Sequence, residues 1–316
     1  MQHRYEVVLQ TCRRALASLG REPVEGAALW WQEWIEIQSD RFMVYYWLAQ
    51  TDAMLELINQ MRQAVEQYGT LVQRAELFEN CYRLNARRDR YTVSDETLEY
   101  SRAALITRQE IGSLDEIAWA QCDHGYHYLW RDNLDEAEIH IHAATAIAEQ
   151  TGNVMVRLWG LIGQSMLYRK RGQVEETRRT SLLALEVATA IPRPEQSGTA
   201  QANLAWVAWR EGKVEEAQAK GSAALALWRS EPLASIVYAF QWTALWPLVG
   251  SALELNHISE AVSHVRALLA PEQQRLPDAL SNTLAAAVEA WDAAQPGAAR
   301  SHLQQATALA QEMGYL

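Results

Sequence analysis

Trp206, Trp209 and Arg210 stand together, and the same mixture of indole and cation recurs at Trp119, Trp130, Trp159, Arg169, Lys170, Trp246 and Trp291, with the amide of Asn203 beside it. Indole rings offer large, rigid contact area, and guanidinium groups stack on such rings or pair with carboxylates. A surface of this kind can hold an extended peptide, a partner helix, or an apolar ligand with an acidic group. The same indoles can instead pack between helices, each reaching a polar partner, and the sequence leaves both readings open. Trp30, Trp31, Trp34 and Trp47 form a second group, with Trp30 and Trp34 four apart on one helix face. That group packs the N-terminal helices together, or else offers an interface to an upstream domain or a second copy.

Other reactive residue types give weaker patterns. His124, His127, His140 and His142 fall in one expected hairpin, with Asp123 and Glu138 close by. His140 and His142 point about 200° apart on a helix, so the four cannot converge, and no metal site is expected. Glu175-Glu176, Glu215-Glu216 and Asp135-Glu136 occupy the first turns of helices, where carboxylates complement the helix dipole. No Ser/His/Asp or Cys/His grouping has supporting context, and no Gly-x-x-x-x-Gly-Lys-Ser/Thr loop is present to bind nucleotide phosphates. Neither enzymatic activity nor a cofactor is expected of this chain.

The elements that position these residues repeat about every forty positions. Gly172-Gln173-Val174-Glu175-Glu176 returns as Gly212-Lys213-Val214-Glu215-Glu216. Residues opening successive second helices, Ser94, Leu134, Val174, Val214, Ile258 and Pro296, are spaced by 40, 40, 40, 44 and 38. A small residue follows three positions later: Thr97, Ala137, Thr177, Ala217, Ala261 and Ala299. Small side chains at this interval let two antiparallel helices approach closely. Short turns join the pairs at Asp132-Asn133, Arg171-Gly172, Glu211-Gly212, Asn256-His257 and Gln295-Pro296-Gly297, while Pro192, Pro194, Pro232, Pro271 and Pro277 mark linkers between repeats. Upstream, helices are expected over about Tyr5–Leu19, Ala27–Gln50, Asp52–Gln67 and Leu71–Asp89. Pro247 falls inside an expected helix and should kink or shorten it, re-aiming Trp246. The expected architecture is an all-α solenoid over 1–316, a right-handed superhelix of about seven hairpins, with divergent helices over 1–68 and repeats over 70–316. The first helix reads as the second half of a repeat whose first half precedes it in a larger protein. Met313-Gly314-Tyr315-Leu316 reads as a natural stop.

Composition narrows the partners. Lys+Arg of 28 against Asp+Glu of 39 gives a net charge of −11, which repels nucleic acids and anionic membranes. Three widely spaced cysteines, Cys12, Cys81 and Cys122, argue for a reducing, cytoplasmic setting. Pro232 to Leu253 carries no charge, but its Ser, Gln, Thr and Pro residues and its phase with the repeats favour a buried helix over a membrane span.

The hairpins resemble the tetratricopeptide repeat: Gly125, Tyr128, Ala137 and Ala144 match its pattern in one unit, and Ser165, Tyr168 and Ala184 in the next. The third keeps Ala205, Ala217 and Ala224 but has Ala208 in place of the aromatic, and the period exceeds the usual ~34 residues. Tyr91-Thr92-Val93-Ser94-Asp95-Glu96-Thr97-Leu98, Asn203–Gly212 and Gln274-Arg275-Leu276-Pro277-Asp278-Ala279-Leu280 resemble the C-terminal repeat region of bacterial signal-transduction ATPase and adenylate/guanylate cyclase multidomain proteins. That resemblance implies a sensor or protein-contact region, with nucleotide chemistry and an upstream switch domain in other parts of a parent protein. The expected function is therefore non-catalytic: a Trp/Arg-lined concave groove that binds a peptide, partner protein or effector. A small-molecule sensor would instead show a closed, partly apolar pocket. A self-assembly scaffold forming a homo-oligomer would show an exposed apolar patch on its terminal helices.

Overall fold

The computed structural model describes residues 2–23, 27–230 and 236–316, and among them fifteen helices and no strand. The chain divides into two compact units, Met1–Val156 with Ala234–Val237, and Arg157–Leu233 with Tyr238–Leu316. The first holds α1 (Gln2–Leu19), α2 (Ala27–Trp47), α3 (Thr51–Tyr68), α4 (Leu71–Arg88), α5 (Asp95–Ile111), α6 (Leu114–Trp130) and α7 (Leu134–Thr151). The second holds most of α8 (Val154–Lys170), then α9 (Val174–Ala190), α10 (Pro194–Arg210), α11 (Val214–Trp228), α12 (Trp242–Glu254), α13 (Ile258–Leu268), α14 (Asp278–Asp292) and α15 (Pro296–Glu312). From α1 to α7 and from α9 to α15 every helix packs on its successor, while α2 also meets α4 and α10 meets α12. Neighbour-on-neighbour packing with next-but-one contacts is the signature of stacked hairpins, and the fold is all-α and of the solenoid type.

The forty-residue small positions explain the stacking. Thr97, Ala137, Thr177, Ala217, Ala261 and Ala299 are all fully buried, as are Ala144, Ala184, Ala224 and Ala306. Each marks the line along which one helix rests on its neighbour. At Gly125 the two helices of a hairpin approach closely, because a Cβ there would lie 2.7 Å from Ile141 Cγ1 and 3.0 Å from the Ile141 backbone nitrogen on α7.

A left-handed residue ends the first helix of successive hairpins, at Asp132, Gly172, Gly212, Asn256 and Ala294. The last differs from the sequence expectation. Gln295-Pro296-Gly297 is not the turn itself, since Pro296 opens α15 and the left-handed residue is Ala294. Proline's fixed φ suits the first helical position, which pushes the turn one step earlier. α2 also stops at Trp47 rather than near Gln50, because Ala49 adopts a left-handed φ of 53°. Pro232, read as a linker residue, lies outside the described residues.

Two glycine substitutions should act with opposite sign. Gly125→Ala inserts a methyl between α6 and α7 and should lower stability by about 1–3 kcal/mol. Gly297→Ala, in the first turn of α15 with open space around it, should be neutral or stabilise by up to ~1 kcal/mol. Urea midpoints of both variants check this, and equal effects would contradict the close helix approach.

Candidate functional site

The site in the second unit begins with a proline. Pro247 has no N–H to give the carbonyl four residues earlier, that of Thr243, although α12 runs through it unbroken. Arg169 Nη1 of α8 fills that vacancy, donating to Thr243 O at 2.6 Å. The same guanidinium donates to Asn203 Oδ1 of α10 at 3.2 Å and to Tyr315 O at 2.5 Å. Asn203 Nδ2 in turn donates to Ser165 Oγ at 2.7 Å. One side chain thereby joins α8, α10, α12 and the segment after α15.

Arg169 is fully buried, and among the described residues no carboxylate pairs with it. Desolvation pulls its pKa well below the usual arginine range. Aromatic faces replace part of the lost hydration: its Cζ lies 5.1 Å from the Trp242 ring centroid and 5.7 Å from that of Trp206. Arg210 approaches Trp206 at 5.2 Å, so this indole serves two guanidinium groups.

Beyond Trp206 the surface opens. Trp209, Arg210, Gly212, Glu254 and Gln311 line a cleft of about 510 Å³. Trp209 is half-buried there, while Arg210, Glu254 and Gln311 are exposed. Gly250 makes room for the indole, since a Cβ at that position would lie 2.5 Å from Trp209 Nε1. The cleft therefore offers one aromatic wall, a cation and a carboxylate.

The residues expected to line a groove thus separate into groups. Trp209 and Arg210 line the cleft, and Lys170 borders the buried cluster, its Nζ 4.6 Å from the Tyr315 ring centroid. Arg169, Asn203, Trp206 and Trp246 are fully buried and expose no groove surface, and Tyr315 packs on Arg169 and Trp246. Trp159 on α8 and Trp291 on α14 are half-buried and lie outside the cleft lining. Trp119 and Trp130 lie on α6 in the first unit, with Trp130 packed edge-on against Tyr91 at 4.8 Å. Thr243, Trp242, Glu254, Gln311 and Tyr315 were missed; only Pro247 signalled one of them, by orphaning Thr243.

In the first unit the N-terminal indoles bind their own helices. Trp30 Nε1 donates to Leu19 O at 3.2 Å, Trp31 Nε1 donates to Glu22 Oε1 at 2.8 Å, and Trp31 stacks on Tyr68 at 5.8 Å. Trp34 meets Trp31 edge-on at 5.3 Å, and Trp47 meets Tyr46 at the same separation. All four rings are half-buried.

An ionic network crosses the same unit. Arg108 Nε of α5 donates to Glu79 Oε1 of α4 at 2.9 Å, Arg83 pairs with Glu79 at 3.3 Å, and Tyr82 Oη donates to Asp123 Oδ2 of α6 at 2.5 Å. Burial, reinforced by Glu79, pushes the Glu76 carboxyl up to about 7. His127 packs edge-on against Tyr82 at 4.7 Å, and burial pulls its pKa down to about 3. His124 shares a 2.7 Å hydrogen bond with Ser101, and burial with nearby His140 lowers it to about 4. His142 is exposed, and among the described residues no group of three or more His, Cys, Asp or Glu side chains is placed to hold a metal.

Among solved structures the chain is similar to BtubC (BKLC) from P. vanneervenii, at TM-score 0.56 and 14% identity over 71% of this chain and 90% of that one. It is also similar to the apo form of RapI, at TM-score 0.52 and 11% identity over 97% of this chain and 87% of that one. Both are helical repeat proteins, and at these identities the likeness is one of fold. No family model matches the sequence, and neither does any curated protein. No helix among the described residues is long and apolar enough to cross a membrane.

The histidine environments give a pH prediction. Both folded pKa values lie below the ordinary 6.5, so the unfolded chain binds more protons between pH 6.5 and about 4. Their contribution to stability is whole above pH 6.5 and declines as pH falls through that window. Glu76, with its raised pKa, acts in the opposite sense between 4.5 and about 7, so the histidines need their own readout. By NMR, the His124 and His127 ring signals should keep neutral-imidazole shifts from pH 7 down to pH 5, and His127→Gln should lose less stability on acidification than the parent. Ring titration centred near 6.5 would contradict the burial argument.

Proposed function

We propose that this chain is a non-catalytic helical-repeat interaction module whose second unit takes a peptide segment of a partner protein at the Trp209–Arg210 cleft. The observation that carries this reading is the lining itself: a half-buried indole edged by Arg210 and Glu254, open to solvent. A rigid aromatic wall gives contact area at low entropy cost, and opposite charges at its margins fix the direction of a bound chain. An open, polar-rimmed depression suits a peptide better than a small effector, which would call for an enclosed apolar pocket. In a larger bacterial regulatory protein, occupancy would bias an attached switch domain through its differential affinity for two states.

Peptides selected from a random display library against the purified protein should bind in the cleft. Trp209→Ala and Arg210→Glu should each weaken such binding by tenfold or more, about 1.4 kcal/mol, without loss of helicity. Selected peptides that bind both variants as well as the parent would overturn the assignment.

A further inference from the structure

The face expected to form a groove is not empty, because the chain's own last segment fills it. After α15, Gly314 turns with φ +71° and lays its backbone on the end of α8; a Cβ there would lie 2.4 Å from Lys170 O. Tyr315 then inserts, packed edge-on against Trp242 at 5.0 Å, tilted over Trp246 at 6.4 Å, and beneath Lys170 Nζ. Its carbonyl accepts from Arg169. Tyr315 and Leu316 are both buried. These partners belong to α8 and α12, and Arg169 links them to Asn203 and Trp206 on α10. The open cleft continues this surface, since Arg210 rests on Trp206 and Gln311 lies one turn before the inserted tyrosine.

The segment satisfies its site incompletely. Arg169 is a buried cation that receives only neutral acceptors. Its Nε and the indole N–H groups of Trp206, Trp209 and Trp246 are buried with no hydrogen-bond partner among the described residues. Donors exceed acceptors, and the missing partner is an anionic oxygen. We propose that residues 313–316 act as an intramolecular plug, and that the groove they fill takes a partner segment carrying an aromatic residue followed by a carboxylate. The cleft is then the exposed end of a longer site. This rests on the peptide-binding reading and deepens it by naming the ligand's chemistry and the contact that restrains binding.

A plug closed in roughly nine molecules of ten costs about tenfold in apparent affinity. Gly314→Val tests this without altering any groove side chain, because its Cβ cannot share space with the Lys170 backbone. The probes are two fluorescein-labelled peptides with amidated C-termini: one of residues 310–316, and one with Asp replacing Leu316. Fluorescence anisotropy should show both binding Gly314→Val about tenfold more tightly than the parent, with the Asp probe the tighter. A chain truncated after Glu312 should behave like Gly314→Val and supplies the same comparison if the valine variant does not fold. Equal affinity of parent and opened variants, with folding intact, would overturn the plug. Equal affinity of the two probes for an opened variant would overturn the carboxylate preference. Library peptides that bind the parent and Gly314→Val alike, yet fail on Arg210→Glu, would sink the plug while leaving the peptide cleft standing. Absence of peptide binding to every variant would instead remove the cleft reading itself.

Discussion

A guanidinium without an anion and a carbonyl without an amide hold the second unit together. Pro247 strips Thr243 O of its helical partner, and Arg169 supplies the missing donor from α8, four helices earlier in the chain. Burying an arginine is costly unless its donors are satisfied, and an unpaired charge in the interior costs several kcal/mol. Two backbone carbonyls, one amide oxygen and two indole faces meet most of that demand here. Three of these five partners, Thr243, Trp242 and Tyr315, come from α12 and the segment after α15, so satisfying Arg169 requires the hairpins to be stacked. The polar cluster thereby specifies register where small-residue packing alone would permit sliding.

The same arrangement links fold to recognition. In the second unit Arg169 of α8, Trp206 of α10 and Trp242 of α12 meet in one buried cluster, and whatever covers it must bring acceptors. In this structure the covering group is Tyr315, which brings a single carbonyl to Arg169. The first unit solves its interior differently, with carboxylates facing Arg83 and Arg108 and neutral histidines packed on tyrosines. There Arg83 and Arg108, unlike Arg169, each have a carboxylate partner.

Much of this was legible in the chain. The forty-residue period located the start of each second helix from Leu134 to Pro296, because the residues that permit close helix approach must recur wherever hairpins stack. The clustering of Arg169, Asn203, Trp206, Trp209 and Arg210 followed from the same register. What covers that cluster did not. Arg169 and Tyr315 are separated by 146 residues, and nothing local marks a tyrosine as destined for insertion. Periodicity identifies a face of a helix but not its occupant, so Trp206 and Trp246 read as groove walls although both are sealed. The histidine spacing showed that four imidazoles cannot converge, but the lowered pKa values of His124 and His127 depend on their burial, which is a tertiary property.

A double-mutant cycle tests whether Arg169 substitutes for the amide that Pro247 lacks. Pro247→Ala restores an N–H able to bond Thr243 O, so Arg169→Met should cost less in that background than in the parent. Urea unfolding of the four proteins should give a coupling of about 1–3 kcal/mol, the cost of leaving a buried acceptor unpaired. Effects that add to within ~0.5 kcal/mol would show that the two sites act independently and that Arg169 does not replace the missing amide.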